Sequence, residues 1–297
     1  MIEIDGLTKT YGDTTALDDV RFTAPGGAVT GFLGPNGAGK TTTLRILLGL
    51  ARPDSGTALI DGTPYDRFPA PRRLVGAVLD NAGFHPGRTA DDHLRVVAVG
   101  AGIPRRRIDE VLEFVDLAGA RGRHVGGYSQ GMAQRLALAA ALLGDPQVLI
   151  LDEPATGLDP AGIAWLRSQM REWASQGRTV LFSSHVLAEV QTVADRVAII
   201  NKGRLIREGT TAEVTGDTSR VVVRTRETER LAALSEANGW QVRRDGDDRL
   251  VVTGTDPETI GATAAAAGIT LSELSQESAG RRLEDVFLEL TGMEVRP

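Results

Sequence analysis

Gly34-Pro35-Asn36-Gly37-Ala38-Gly39-Lys40-Thr41 is the stretch on which the reading of this chain turns. It fits the pattern G-x-x-x-x-G-K-[ST] and lies between an apolar, strand-like run, Ala28 to Leu33, and a helical pattern over Thr41 to Leu50 marked by Leu44, Leu47 and Leu48. Strand, glycine loop and helix in this order turn backbone N–H groups inward around phosphate oxygens, where the positive end of the helix dipole reinforces them. The Lys40 ammonium would reach the β- and γ-phosphates, and the Thr41 hydroxyl would ligate Mg²⁺. Only three of the 33 basic residues are lysines, Lys9, Lys40 and Lys202, so a lysine in this slot is no accident of composition.

Further along, Val148-Leu149-Ile150-Leu151 is a continuous apolar run, as expected of a strand buried on both faces, and it ends on two adjacent carboxylates, Asp152 and Glu153. Open α/β sheets bind ligands at such strand ends. Asp152 would hold Mg²⁺ through water, and Glu153 would orient and deprotonate the water that attacks a γ-phosphate. Buried strands are expected again at Thr179 to Phe182 and Val197 to Ile200, with helices between, which gives an α/β domain with a largely parallel sheet. Ser129 can cap a helix from Gln130 to about Leu143, closed by Gly144 and Pro146. A helical insert is expected from Asp91 to Leu117, broken at Gly102-Ile103-Pro104. Ile2 to Ile4 and Val20 to Phe22, around the polar turn Asp13-Thr14-Thr15, read as a small antiparallel edge.

The 297 residues, 41% hydrophobic, suffice for a main domain and a smaller one. Cysteine is absent, which excludes disulfide frameworks, thiolate nucleophiles, zinc fingers and iron–sulfur clusters. A net charge of −6 argues against bulk attraction to nucleic acid. No apolar run reaches the roughly 20 residues that span a bilayer, and Met1-Ile2-Glu3-Ile4-Asp5 lacks the basic-then-apolar start of a secretion signal. A cytoplasmic protein is the expectation.

Composition shifts near Thr210 to Ser219, which sets expected domains at 1–215 and 220–297, with a helical subdomain at about 83–145 in the first. Beyond the shift come strand Arg220 to Thr225, helix Glu229 to Asn238, strands Trp240 to Arg243 and Arg249 to Val252, helix Pro257 to Ala267, strand Ile269 to Leu274 and a last helix with Leu283, Val286, Phe287 and Leu290 on one face. That βαββαβα order suits a small ferredoxin-like α/β sandwich.

Taken together, these motifs resemble the nucleotide-binding subunit of an ATP-binding cassette (ABC) transporter. Tyr128-Ser129-Gln130-Gly131-Met132 stands one helix before the carboxylate strand, where this family carries L-S-G-G-Q, and Ser129 and Gly131 match. Gly157-Leu158-Asp159-Pro160 resembles the family's D-loop, His185 its switch histidine, and Tyr11 its adenine-stacking aromatic. The resemblance implies that Gly34, Asn36, Gly37, Gly39, Lys40, Thr41 and Thr42 bind ATP with Tyr11. It implies too that Ser129, Gly131 and Asp159 serve a second, head-to-tail copy of the chain. Where the family usually places glutamine, Val75 to Leu79 is followed by Asp80, implied as a further metal ligand, with Asn81 as the alternative source of an amide.

The resemblance further implies ATP and Mg²⁺ as ligands, ATP hydrolysis, and docking under a separately encoded permease through a groove of Asp80 to Pro86 and the insert to Leu117. It places the chain peripherally at the inner face of the cell membrane and without a nucleic-acid partner. The ending Leu283 to Leu290 resembles the extension of cassettes serving drug, antibiotic or polysaccharide exporters. A soluble cassette acting on DNA or ribosomes is the other class considered, but its usual coiled coil or second cassette does not fit in 297 residues. His85, His93 and His124 are expected to be structural or exposed, and Arg105-Arg106-Arg107 a solvated face.

Overall fold

The computed structural model describes residues 1–79, 83–216, 219–278 and 282–291. The described residues fall into two compact units, Met1–Thr210 joined by Leu290 and Thr291, and Thr211–Glu289. Asp80 lies outside the described residues, as do Asn81 and Ala82.

In the first unit β1 (Ile2–Tyr11) and β2 (Thr14–Ala24) form a long hairpin. β3 (Val29–Leu33), buried at every position, runs into the glycine loop and α1 (Lys40–Leu47). β4 (Ser55–Ile60) pairs with the far side of β1, so the antiparallel sheet has the order β2-β1-β4. The hairpin is longer than Ile2–Ile4 and Val20–Phe22 suggest, and Thr14 and Thr15 belong to β2 rather than to the turn. Their β-branched side chains suit a strand whose outer face is solvated.

α2 (Pro71–Leu74) leads into β5 (Val75–Val78), and the helical insert follows as α3 (Ala90–Ala101), α4 (Arg106–Phe114) and α5 (Gln130–Leu142). Thr89 caps α3 by accepting the Asp92 N–H at 3.1 Å. The Arg105 to Arg107 run is only partly a solvated face. The Arg107 guanidinium donates to the carbonyls of Leu142 (3.3 Å) and Leu143 (3.4 Å) and pairs with Glu110, closing the C-terminal end of α5.

β6 (Val148–Leu151), α6 (Pro160–Ser175), β7 (Thr179–Ser184), α7 (Leu187–Val193), β8 (Arg196–Asn201) and β9 (Arg204–Thr210) complete the unit. The central sheet has the order β5-β6-β7-β3-β8-β9, parallel throughout except for β9. Phe22 and Phe32 stack at 4.8 Å in a core shared with Leu7, Leu17, Leu44 and Ile150, which ties both sheets to α1. At about 25 cal/mol per Å² of apolar area, such burial is the main favourable term of the unit.

The second unit runs α8 (Thr211–Thr215), β10 (Ser219–Arg224), α9 (Thr228–Ala237), β11 (Gln241–Arg244), β12 (Arg249–Thr253), α10 (Pro257–Ala266), β13 (Glu273–Ser278) and all but the last two residues of α11 (Leu283–Thr291). Its antiparallel sheet has the order β11-β12-β10-β13. Val221 and Val223 of β10 face Val252 and Leu250 of β12 in register, and these four pack on Leu231 and Ile260 of the helices. The last strand starts at Glu273, not at Ile269. The Ile269 N–H turns back to the Ala264 carbonyl at 2.9 Å and its buried side chain closes the end of α10, so the apolar start of that run belongs to a helix cap.

Candidate nucleotide site

Strand order assembles the site. β6, β7 and β3 are neighbours, and their C-terminal ends deliver Asp152 and Glu153, Ser183 to His185, and the glycine loop to one edge of the sheet. Gly39 is the N-cap of α1 at φ +110°, a left-handed angle open to glycine, and a Cβ there would stand 2.6 Å from Leu17 Cδ2 and 2.7 Å from the Ala16 carbonyl oxygen. The loop backbone is thus wedged against β2. Asn36, Gly37 and Thr42 follow the same turn into α1, and Gly34 begins it.

Lys40, 6% exposed, folds back over the loop and donates to the carbonyl oxygen of Gly34 at 2.6 Å and of Pro35 at 3.3 Å. Glu153 Oε1 is 3.7 Å from its ammonium. Burial lowers the Lys40 pKa, with Glu153 and Asp152 pulling the other way. The ammonium therefore carries an unmet demand for negative charge, which phosphate oxygens can meet.

Asp152, 2% exposed, accepts the Thr41 hydroxyl on Oδ2 at 2.8 Å and the Ser183 hydroxyl on Oδ1 at 2.5 Å. Glu153 adopts a left-handed backbone, φ +49°, rare for a side-chain-bearing residue, with its N–H donated to Ser183 Oγ at 2.9 Å. That turn swings the Glu153 carboxylate between Lys40 and His185, whose Nδ1 lies 2.7 Å from Oε2. His185 itself is largely exposed. His93 is the structural case: it meets Phe84 edge-on at 4.8 Å, and burial lowers its pKa.

The remaining sequence-predicted residues lie around this centre. Ser129 caps α5, accepting the Met132 N–H at 3.2 Å. Gly131 approaches the Gly157 carbonyl so closely that a Cβ would stand 2.8 Å from its oxygen. Asp159 caps α6 through the Gly162 N–H at 2.9 Å. Tyr11, at 51% exposure, presents its ring to the Lys9 ammonium at 5.2 Å from the centroid. Two polar contacts have no counterpart in the motifs. One is the Ser183 hydroxyl, and the other is the Gln134 side chain, which donates to the Pro154 carbonyl at 3.0 Å and ties α5 to the loop after Glu153. The serine pair Ser183-Ser184 closing an apolar strand is the one sequence signal that could have pointed to Ser183.

The donor set suits a magnesium-bound triphosphate. Thr41 and Asp152 offer a hydroxyl and a carboxylate side by side, and no group of three or more His, Cys, Asp or Glu able to hold a metal occurs among the described residues. Magnesium needs no such cage, since it takes one or two protein oxygens with substrate phosphates and water. A glycine loop with a buried lysine, opposite a carboxylate pair at the C-terminal edge of a parallel sheet, makes the chain a P-loop nucleoside triphosphatase.

The family is narrower than that class. The ABC transporter profile matches residues 17–156, and a domain of unknown function (DUF8746) matches residues 219–280. The uncharacterized ABC transporter ATP-binding protein YdbJ of Bacillus subtilis (strain 168) is 36% identical over 98% of this chain and 95% of its own. The daunorubicin/doxorubicin resistance ATP-binding protein DrrA of Streptomyces peucetius is 38% identical over 98% and 92%. A dimeric bacterial ABC transporter cassette is similar in structure, with a TM-score of 0.64 and 25% identity over 71% of this chain and 99% of its own. The chain belongs to the ABC transporter family as an ATP-binding, ATP-hydrolysing cassette. No helix among the described residues is long and apolar enough to cross a membrane.

Proposed function

We propose that the chain powers export: two copies close head to tail around two ATP molecules, and their closing and reopening drive a separately encoded permease at the inner face of the cell membrane. The cargo class is a drug, antibiotic or other hydrophobic compound, a reading supported by the name of the daunorubicin/doxorubicin resistance relative. The observation that carries the catalytic part is the meeting of Lys40, Thr41, Asp152, Glu153 and His185 at three adjacent strand ends.

In this reading the backbone N–H groups of Gly34, Asn36, Gly37, Gly39 and Thr42 and the Lys40 ammonium hold the phosphates, and Tyr11 stacks on adenine. Thr41 and Asp152 hold Mg²⁺, with Asp80 a further candidate, and the ion supplies charge neutralisation at the transferring phosphoryl group. Glu153 takes the proton of the attacking water, and His185, hydrogen-bonded to it, steadies the carboxylate and faces the γ-phosphate. Lys40 and Glu153 lie 3.7 Å apart, so the phosphates and the base face the same ammonium. Ser129, Gly131 and Asp159 complete the site of the second copy, and the dimeric cassette relative supports that pairing.

Glu153→Gln tests the assignment. It keeps ATP affinity, lowers turnover by about a hundredfold or more, and accumulates an ATP-bound dimer on size-exclusion chromatography. A variant that stays monomeric and still hydrolyses ATP would contradict both the role of Glu153 and the shared site.

A further inference from the structure

We propose that Ser183 is a positioning residue for ATP hydrolysis, its single hydroxyl fixing the carboxylate of Asp152 and the backbone of Glu153 at once. The inference rests on the roles given above to those two acids. Ser183 is the penultimate residue of the fully buried strand β7 and has no exposed surface, a position where an unpaired hydroxyl would be costly. Its hydrogen-bonding capacity is used in two directions. The proton goes to Asp152 Oδ1 at 2.5 Å, and a lone pair receives the Glu153 N–H at 2.9 Å.

Each bond has a distinct consequence. With Thr41 donating to Oδ2, the Ser183 bond pins the second oxygen of Asp152, so the carboxylate plane cannot rotate and its orientation toward a metal is set in advance. The N–H bond anchors Glu153 in its left-handed turn, a conformation that persists only where surroundings hold it. That turn is what puts the Glu153 carboxylate within 3.7 Å of Lys40 and 2.7 Å of His185. Ser184 does not replace Ser183: as the next residue of β7 it points to the opposite face of the sheet, where its hydroxyl accepts the Val186 N–H at 2.9 Å. One buried oxygen therefore couples the metal ligand to the base.

The test uses the full-length chain with Ser183→Ala, Ser183→Thr and Ser183→Val, the last two alike in shape and different only in the hydroxyl. Turnover, KM for ATP and the gain in ADP affinity on adding Mg²⁺, measured by calorimetry against an EDTA control, are followed together. The expected result is a fall in kcat of roughly tenfold to a hundredfold for Ala and Val with KM within about twofold, and recovery of most of it by Thr. The Mg²⁺-dependent gain in ADP affinity shrinks for Ala and Val and is kept by Thr, a change that loss of packing alone would not produce. Equal losses for Thr and Val overturn the proposal, and so does wild-type kcat and Mg²⁺ response in Ala. If neither larger residue folds, Ala alone decides. Asp152→Asn and Glu153→Gln are measured beside them: if these keep turnover, the underlying assignment is wrong, whereas loss in them with none in Ser183→Ala removes only the role of Ser183.

Discussion

Gly39 in the phosphate loop and Gly246 in the turn between β11 and β12 hold nearly the same backbone angle, φ +110° and +113°, and differ in everything around them. A Cβ on Gly39 would collide with Leu17 and Ala16, whereas one on Gly246 would meet nothing within 4 Å. The first glycine is needed because other backbone is packed against it, the second only because a turn needs the angle. The same division runs through the two units. The cassette buries Lys40, Asp152 and Ser183 at one sheet edge, against the desolvation cost of such groups. The C-terminal unit places pairs such as Arg244 with Glu229 and Arg224 with Glu273 in solvent, where they contribute little, and relies on apolar burial. Buried charge held at one sheet edge marks the site, whereas the buried polar side chains among the described residues of the second unit, Thr215, Thr225 and Ser235, are all uncharged.

The comparison breaks most visibly at the glycines themselves. Gly39→Ala is expected to weaken ATP binding by about a hundredfold or more, because the loop must shift from the phosphate-binding turn. Gly246→Ala should cost only the strain of its angle, about 1–2 kcal/mol, with ATP affinity unchanged. Equilibrium nucleotide binding and urea unfolding of both variants settle it, and comparable binding losses would show that conformation alone, not packing, governs both positions.

A change confined to stability sharpens the same division from the other side. Leu250 has no exposed surface and packs with Val221, Val223 and Ile260, so Leu250→Ala should cost about 2–5 kcal/mol. Trp240 packs on the same cluster, so its fluorescence in a Trp165→Phe, Trp173→Phe background reports the loss. Turnover per folded molecule should stay at the wild-type level. If ATP binding falls in step with Trp240 fluorescence, the cassette draws its stability from the second unit and the contrast between them fails.

What could be read in the sequence follows the same line between local and distant causes. The phosphate loop, the Asp152 and Glu153 pair and the Ser129 cap are legible because a contiguous stretch fixes both residue type and secondary structure. Ser183 and Gln134 are not, since each acts on a residue at least 20 positions away that only the fold brings near. β4 and β9 escape notice because they are sheet edges with one fully buried position each and polar residues that blur the alternation. The shift of the last strand from Ile269 to Glu273 shows the converse error, in which an apolar run serves a helix end and the strand itself is polar. Arg107 belongs with these, a surface cation by pattern and a helix cap by contact.

The smallest expected effect concerns charge at a helix start, where the two units differ in the cause of the shift. Asp256 caps α10, accepting the Thr259 N–H at 2.8 Å and the Thr259 hydroxyl at 2.7 Å, and these bonds, the hydroxyl first, hold its pKa below the ordinary 3.8. On acidification the unfolded chain therefore takes up this proton before the folded one. The contribution of Asp256 is fully present above pH 3.8 and fades as the pH falls through its lowered folded value. Asp256→Asn keeps an oxygen to accept the Thr259 N–H yet cannot titrate. Wild type should thus exceed the variant modestly in urea midpoint near neutrality, by about a few tenths of a molar, and converge with it in acid. Lys40 has the same pH slope from a different cause: burial lowers its pKa, so the folded chain releases that proton first, and stability rises with pH in the interval just below 10.5. A gap for Asp256→Asn that stays constant from neutrality into acid would mean that the cap works by geometry alone, and that the buried lysine of the cassette is the only one of the two charges whose state the fold controls.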